Sequence, residues 1–283
     1  MYLSEQTKNI EKSINKTYRT RLWSPFIRAI KEYQLIQEND RIAVCIYGGK
    51  DSMCMAKLMQ MLQRFSEFPF EVVYLVMDPG YNELNRRKIE DNARILDIPI
   101  TIFETQIFDI ANSQEKTPCY LCARMRRGAL YHKAQELGCN KIALGHHFDD
   151  VIETTFLGMF YASKLEGMMP KLHSANYENM ELIRPMYMVR EEDIINWKNY
   201  NDLEFIQCAC RFTENCTICD NGGGGSKRQE IKKLIRQLHN ENPDIEKSIF
   251  NSLHKVCIDT FPGYKENGVA HSFLETYDQK EAK

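Results

Sequence analysis

The sequence predicts an α/β fold: a doubly wound, mostly parallel sheet with helical N- and C-terminal extensions. Three observations carry this. Short β-branched apolar runs alternate with segments of helical period. The first such run breaks at a pair of glycines before its helix. The 283 residues are 43% hydrophobic and 11% aromatic, enough to bury one large core or two small ones.

Residues 1–40 read as one or two helices, basic between Lys8 and Lys31 and closed by the polar cluster Gln37-Glu38-Asn39-Asp40. A strand over 41–47 and a helix from Asp51 to Phe65 follow. The next strand is Phe70 to Asp78, with a helix from Glu83 to Leu96. The third strand is Ile98 to Thr105. A helix starts at Pro118-Cys119 and runs to Leu137, since proline fits a first helical turn. A strand ending at Gly145 leads to a helix from Asp149 to Tyr161. Right-handed crossovers would make the sheet parallel. Beyond Pro170 the pattern loosens: a strand at 181–185, a helix over Glu191–Tyr200, a brief strand over Leu203–Gln207, and helices over Lys227–Leu238 and Pro243–Leu253. This divides the chain into a basic helical segment (1–40), a core (41–190) and a C-terminal extension (191–283). Residues 221–226 read Asn-Gly-Gly-Gly-Gly-Ser, a flexible linker by composition, with a natural linker and a man-made loop replacement as the two readings.

The net charge of −2 argues against bulk electrostatic capture of nucleic acid but leaves room for local patches. These are Lys8–Lys31, Arg124-Met125-Arg126-Arg127 and Lys227–Arg236, which solvated helix faces would also explain. No apolar run reaches membrane-spanning length. The polar opening lacks a signal-peptide apolar region, so a cytoplasmic protein is expected. Ten cysteines then point to core packing or metal and sulfur chemistry rather than disulfides.

The stretch Tyr47-Gly48-Gly49-Lys50-Asp51-Ser52 has the order strand, glycine turn, helix. Glycine lets backbone approach an anion, and helix N–H groups with the helix dipole favour phosphate. Asp51 and Ser52 are candidate caps. An ordinary strand-to-helix turn would have the same pattern. Cys119 and Cys122 form C-x-x-C, where i and i+3 share a face and a helix start favours thiolate. Cys208, Cys210, Cys216 and Cys219 follow later. Pairing Cys119/Cys122 with Cys216/Cys219 would suit a structural zinc. Cys45, Cys54, Cys139 and Cys257 sit in apolar patterns and read as core. His146, His147, Asp149 and Asp150 follow the fourth strand, where the acids suit a helix start or a hard cation near phosphate.

Y-G-G-K-D-S resembles the pyrophosphate loop, S-G-G-x-D-S, of the PP-loop ATPases, which are of the adenine nucleotide alpha hydrolase-like type. Tyr47 stands where that pattern has serine. With C-x-x-C, A-R-M-R-R-G-x-L-Y, L-G-H-H-F-D-D-V-I-E-T and I-R-P in this order over residues 41–210, the chain is similar to the TtcA family, which makes 2-thiocytidine in tRNA. The resemblance implies ATP bound by Tyr47, Gly48, Gly49, Lys50, Asp51, Ser52, Gly145 and His146, with Val76, Met77 and Asp78 near the adenine. It implies Mg²⁺ on Asp51 and Asp150. It implies a [4Fe-4S] cluster on Cys119, Cys122 and a third cysteine, Cys210 by alignment on Phe205, with Cys208 the near alternative. Asp51, Cys119, Cys122 and Asp150 would carry the chemistry: adenylation of the C2 oxygen of an anticodon-loop cytidine, then its replacement by sulfur. The implied partners are tRNA, a sulfide donor such as a cysteine desulfurase, and a second copy in a homodimer. A uridine or other acceptor, or a zinc-stapled nucleotide-binding protein without thiolation, are the alternative readings.

Overall fold

The computed structural model describes residues 3–108, 118–206 and 227–277, giving for 118–123 the helical backbone without side chains. The chain forms two compact units, Met1–Ile231 and Lys232–Lys283.

The first unit opens with α1 (Glu5–Asn15), a π-helical turn (Arg19–Trp23) and α2 (Ser24–Glu32). Ser4 caps α1 by accepting from the Thr7 N–H at 3.0 Å. Ile10 and Ile14, one turn apart, and Leu22, Phe26 and Ile30 are buried in the same core as the sheet. Lys57, fully buried, ties α1 in through Glu11 at 2.6 Å and donates to the Leu96 carbonyl at 2.8 Å.

The alternating elements are β1 (Arg41–Ile46), α3 (Lys50–Phe65), β2 (Glu71–Asp78), α4 (Glu83–Ile95), β3 (Ile100–Glu104), α5 (Pro118–Glu136), β4 (Lys141–Ala143), α6 (Phe148–Tyr161), β5 (Lys171–His173), β6 (Glu181–Ile183) and α7 (Glu191–Tyr200). The sheet order is β3-β2-β1-β4-β6-β5. β1 pairs in parallel with β2 and β4, β2 with β3, and β4 with β6. Strand order reverses between β1 and β4, which opens a crevice at their carboxyl ends. β1 is buried from Ile42 to Ile46, as a central parallel strand covered on both faces must be.

Three features depart from the sequence reading. The edge strand β5 runs antiparallel to β6, and its three residues were too few to stand out. Residues 203–206 form no strand; they cross beside the glycine turn as irregular chain. Asp51 and Ser52 are not caps: α3 begins at Lys50, Gly49 is its N-cap, and no side chain caps it.

The second unit contains most of α8 (Lys227–Glu241), then α9 (Ile245–Ser252), a hairpin of β7 (Gly263–Glu266) and β8 (Val269–Ser272), and a short terminal helix, Leu274–Tyr277. Among the described residues, no helix is long and apolar enough to cross a membrane.

Candidate active site

A cleft of about 520 Å³ lies at the carboxyl ends of β1 and β4. Tyr47, Gly49, Asp51 and Ser52 line it from the β1 turn, and Gly145, His146 and Asp150 from the β4 side. Arg126, Arg127, Leu130 and Tyr131 of α5 form another wall, and Ile206 closes over it.

The β1 turn has a built geometry. Gly48 has φ +79°, a left-handed conformation that disfavours side chains, and a Cβ there would stand 2.6 Å from Ile206 Cδ1 and 2.7 Å from Ile89 Cγ1. The Tyr47 N–H donates to Ser52 Oγ at 3.2 Å, and Ser52 Oγ donates to the Gly49 carbonyl at 3.1 Å. Ser52 thus closes the loop on itself. With no side-chain cap, the first turn of α3 presents its N–H groups and positive dipole end to the crevice, the arrangement that binds phosphate.

Gly145 explains how the two halves meet. A Cβ there would lie 3.1 Å from Ser52 N and 3.2 Å from Asp51 C, so any side chain would press on backbone at the start of α3, and glycine relieves the β4 turn of that contact.

Two carboxylates face each other across this junction. His147 Nε2 is 3.9 Å from Asp51 Oδ1 and 3.4 Å from Asp150 Oδ2. Asp51 Oδ1 is buried without a hydrogen-bond partner among the described residues. Asp150 and His147 cap α6 reciprocally: the His147 N–H donates to Asp150 Oδ2 at 3.1 Å and the Asp150 N–H to His147 Nδ1 at 3.4 Å. Asp150 Oδ1 accepts from Arg228 at 2.9 Å, and the same guanidinium nitrogen reaches Glu153 at 3.0 Å. Among the described residues no three His, Cys, Asp or Glu side chains converge as a closed metal site. Two carboxylates beside a phosphate site suit Mg²⁺, which keeps waters and binds through one or two acids. The orphaned Asp51 oxygen fits that use.

His146 lines the cleft with a buried Nδ1 that has no hydrogen-bond partner among the described residues. Burial pushes its pKa down to about 4, and the nearby Arg184 charge acts in the same direction. It is therefore a neutral imidazole at pH 7.

Other anticipated residues lie elsewhere. Lys50 does not line this cleft; it pairs with Asp51 and Glu191, both at 3.0 Å, beside a neighbouring hollow. Burial opposes its charge, but the two carboxylates win and raise its pKa. Asp78 is a turn residue: its Oδ1 accepts the N–H groups of Gly80 and Tyr81 at 2.8 and 2.7 Å, and its Oδ2 pairs with Arg86 at 2.8 Å. Val76 and Met77 are buried in the core and their side chains do not line the cleft. Asp149 accepts the Glu191 N–H at 2.7 Å and pairs with Arg190 at 3.2 Å, fixing α7 to α6. Cys45, Cys54 and Cys139 are buried free thiols, whereas Cys257 is exposed. Cys119 and Cys122 fall in the first turns of α5, their side chains outside the described residues. Cys208, Cys210, Cys216, Cys219 and the 221–226 linker also lie outside the described residues.

Sequence reasoning gave His147 no role between the carboxylates and missed Ile206. The H-x-x-D spacing before α6 is a capping pattern that signals the first. Nothing local signals the second.

Residues 13–211 match the family model described as a PP-loop domain. The chain is 36% identical over 241 residues to the tRNA-cytidine(32) 2-sulfurtransferase of Citrifermentans bemidjiense, covering 84% of this chain and 91% of that protein. It is 34% identical over 276 residues to the protein of that name from Polaromonas naphthalenivorans, covering 95% and 82%. Among solved structures it resembles the U34-tRNA thiolase NcsA from Methanococcus maripaludis with its [4Fe-4S] cluster, at a TM-score of 0.63 and 18% identity over 86% of this chain and 80% of that one; this likeness is one of fold. The glycine turn, the β4 junction and the extent of these matches make the chain a member of the PP-loop family and, within it, of the tRNA-cytidine(32) 2-sulfurtransferases.

Proposed function

We propose that the protein thiolates a cytidine of tRNA, that at position 32 for which its relatives are named, using ATP, Mg²⁺ and a [4Fe-4S] cluster. The observation that carries the reading is one cleft that joins the uncapped first turn of α3 to Asp51 and Asp150 and is walled by α5, the helix whose sequence carries Cys119 and Cys122. Cys122 precedes the cleft-lining Arg126 by four residues of one helix, about 6 Å of rise. Cys208 and Cys210 follow the cleft-lining Ile206 by two and four positions in the sequence. Cys119 and Cys122 share a helix face at i and i+3, a donor set suited to thiolate ligation. Cys210, or Cys208 beside it, would complete a three-cysteine set.

The chain's own residues prepare the rest. The uncapped start of α3 cradles the nucleotide phosphates. Asp51 and Asp150 would hold Mg²⁺ on them, and Arg126 adds charge where pyrophosphate departs. The C2 oxygen of cytosine carries no proton, so its attack on the α-phosphorus needs no general base. Neutral His146 offers a hydrogen bond without repelling Mg²⁺. Adenylation turns the C2 oxygen into part of an AMP leaving group. The cluster, when bound, would supply a site for hydrosulfide, which replaces the adenylated oxygen as AMP leaves; sulfur from a cysteine desulfurase arrives as a persulfide and would first be released as sulfide by two-electron reduction with an external thiol. The base must leave its stack to enter the cleft. Arg19, Trp23, Arg28 and Lys31 line a hollow on the N-terminal helices suited to RNA backbone and an unstacked base.

Anaerobic purification followed by iron, acid-labile sulfide and zinc analysis tests the reading. About four irons and four sulfides per chain are expected. Cys122→Ser should lose colour while staying folded. Zinc without sulfide would contradict the proposal.

A further inference from the structure

Tyr47 and Arg126 meet in the cleft in an arrangement that phosphate binding alone does not require. The Arg126 guanidinium carbon lies 4.8 Å from the centroid of the Tyr47 ring. That is within the roughly 6 Å range of a cation–π contact. Arg126 comes from α5 and Tyr47 from the end of β1, and both line the cleft. Arg126 Nε is buried and has no hydrogen-bond partner among the described residues. The Tyr47 N–H donates to Ser52 Oγ at 3.2 Å, which holds the backbone that bears the ring in the glycine loop. Burial raises the pKa of its hydroxyl, so the ring stays a neutral phenol. A guanidinium with one face on an aromatic ring keeps its donor edge open, and that edge matches phosphate in a planar fork.

We propose that Tyr47 is a positioning residue whose ring holds the Arg126 guanidinium beside the glycine loop, edge-on to a phosphoryl group bound in the cleft. The inference rests on the reading of the cleft as a nucleotide and RNA site. The phosphoryl group belongs to the nucleotide or to the RNA backbone, and the chemistry of recognition is the same for both.

Calorimetry with α,β-methylene-ATP and Mg²⁺, and separately with unmodified tRNA, tests it on the full chain. The proteins compared are the unaltered one, Tyr47→Phe, Tyr47→Leu, Tyr47→Met, Arg126→Gln and the double variant Tyr47→Leu/Arg126→Gln. Tyr47→Phe should bind as the unaltered protein does. Tyr47→Leu should weaken binding about five- to thirtyfold, the range of a partly to fully desolvated cation–π contact. Arg126→Gln should weaken it at least as much, and the double variant no further than Arg126→Gln alone. A loss confined to the ATP analogue assigns the nucleotide phosphoryl group; a loss confined to tRNA assigns the RNA backbone; both support the inference. Binding by Tyr47→Leu as tight as that of the unaltered protein, or losses that add in the double variant, would overturn it. Tyr47→Met, also non-aromatic, takes the place of Tyr47→Leu if the latter does not fold, with the same outcomes. An unaltered protein that binds neither ligand would overturn the cleft reading itself, and this inference with it.

Discussion

A Cβ on Gly145 would stand 3.1 Å from the amide nitrogen of Ser52. Two turns distant in sequence, one after β4 and one after β1, are packed backbone to backbone, and this contact sets the spacing of the carboxylates Asp51 and Asp150. The atoms it meets belong to the first turn of α3, so they yield only if the phosphate cradle moves. Gly145→Ala should therefore fold yet lose about tenfold or more in turnover, in line with the cost of small misplacements of reacting groups. Circular dichroism and steady-state kinetics on the same preparation check both halves.

Gly48 is constrained by a different cause. Its φ of +79° and the close approach of Ile206 and Ile89 both oppose a side chain. Gly48→Ala should lower unfolding free energy by about 1–3 kcal/mol. Urea unfolding measures this; Gly49→Ala, whose Cβ would meet only the Ile206 carbonyl at 3.8 Å among the described residues, should cost less.

Arg228 sits on Asp150 at 2.9 Å. A cation on that oxygen competes with a metal for the same lone pairs. Removing it in Arg228→Ala should tighten divalent-ion binding several-fold, measured as Mn²⁺ titration by electron paramagnetic resonance in the presence of nucleotide. Asp150→Asn should abolish the tight site. A metal affinity unchanged in both would remove Asp150 from the site.

His146 makes stability depend on pH with a definite sign. Burial holds its pKa near 4, against about 6.5 when unfolded. Between those values the unfolded chain takes up a proton that the folded one refuses, so stability falls as pH drops from 6.5 toward 4. Above 6.5 both states are neutral and the residue contributes no slope. His146→Asn should flatten the decline, read from urea midpoints at pH 7, 5.5 and 4.5.

Much of this was legible in the sequence because it depends on local pattern. β1, buried on both faces, shows as the unbroken run Ile42–Ile46, and α3 starts where the glycines end. The order of the motifs brought Asp51, Gly145 and Asp150 to one crevice. What the sequence concealed depends on contacts distant along the chain. The pairing of Lys50 with Glu191, 141 residues later, at 3.0 Å does not show in its local sequence. The contacts of Asp78, to Arg86 and to two backbone N–H groups, likewise do not show in its local sequence. Of the strand expected at 203–207, residues 203–206 have no strand partner among the described residues; Ile206 covers Gly48 instead.

The most direct test of the thiolase account is its product. The anaerobically purified, cluster-loaded protein is incubated with unmodified tRNA, ATP, Mg²⁺ and sulfide, and the digested nucleosides are analysed by mass spectrometry. The account predicts 2-thiocytidine, dependent on ATP and lost in Cys122→Ser. Unchanged cytidine from a preparation that binds both nucleotide and tRNA would contradict it.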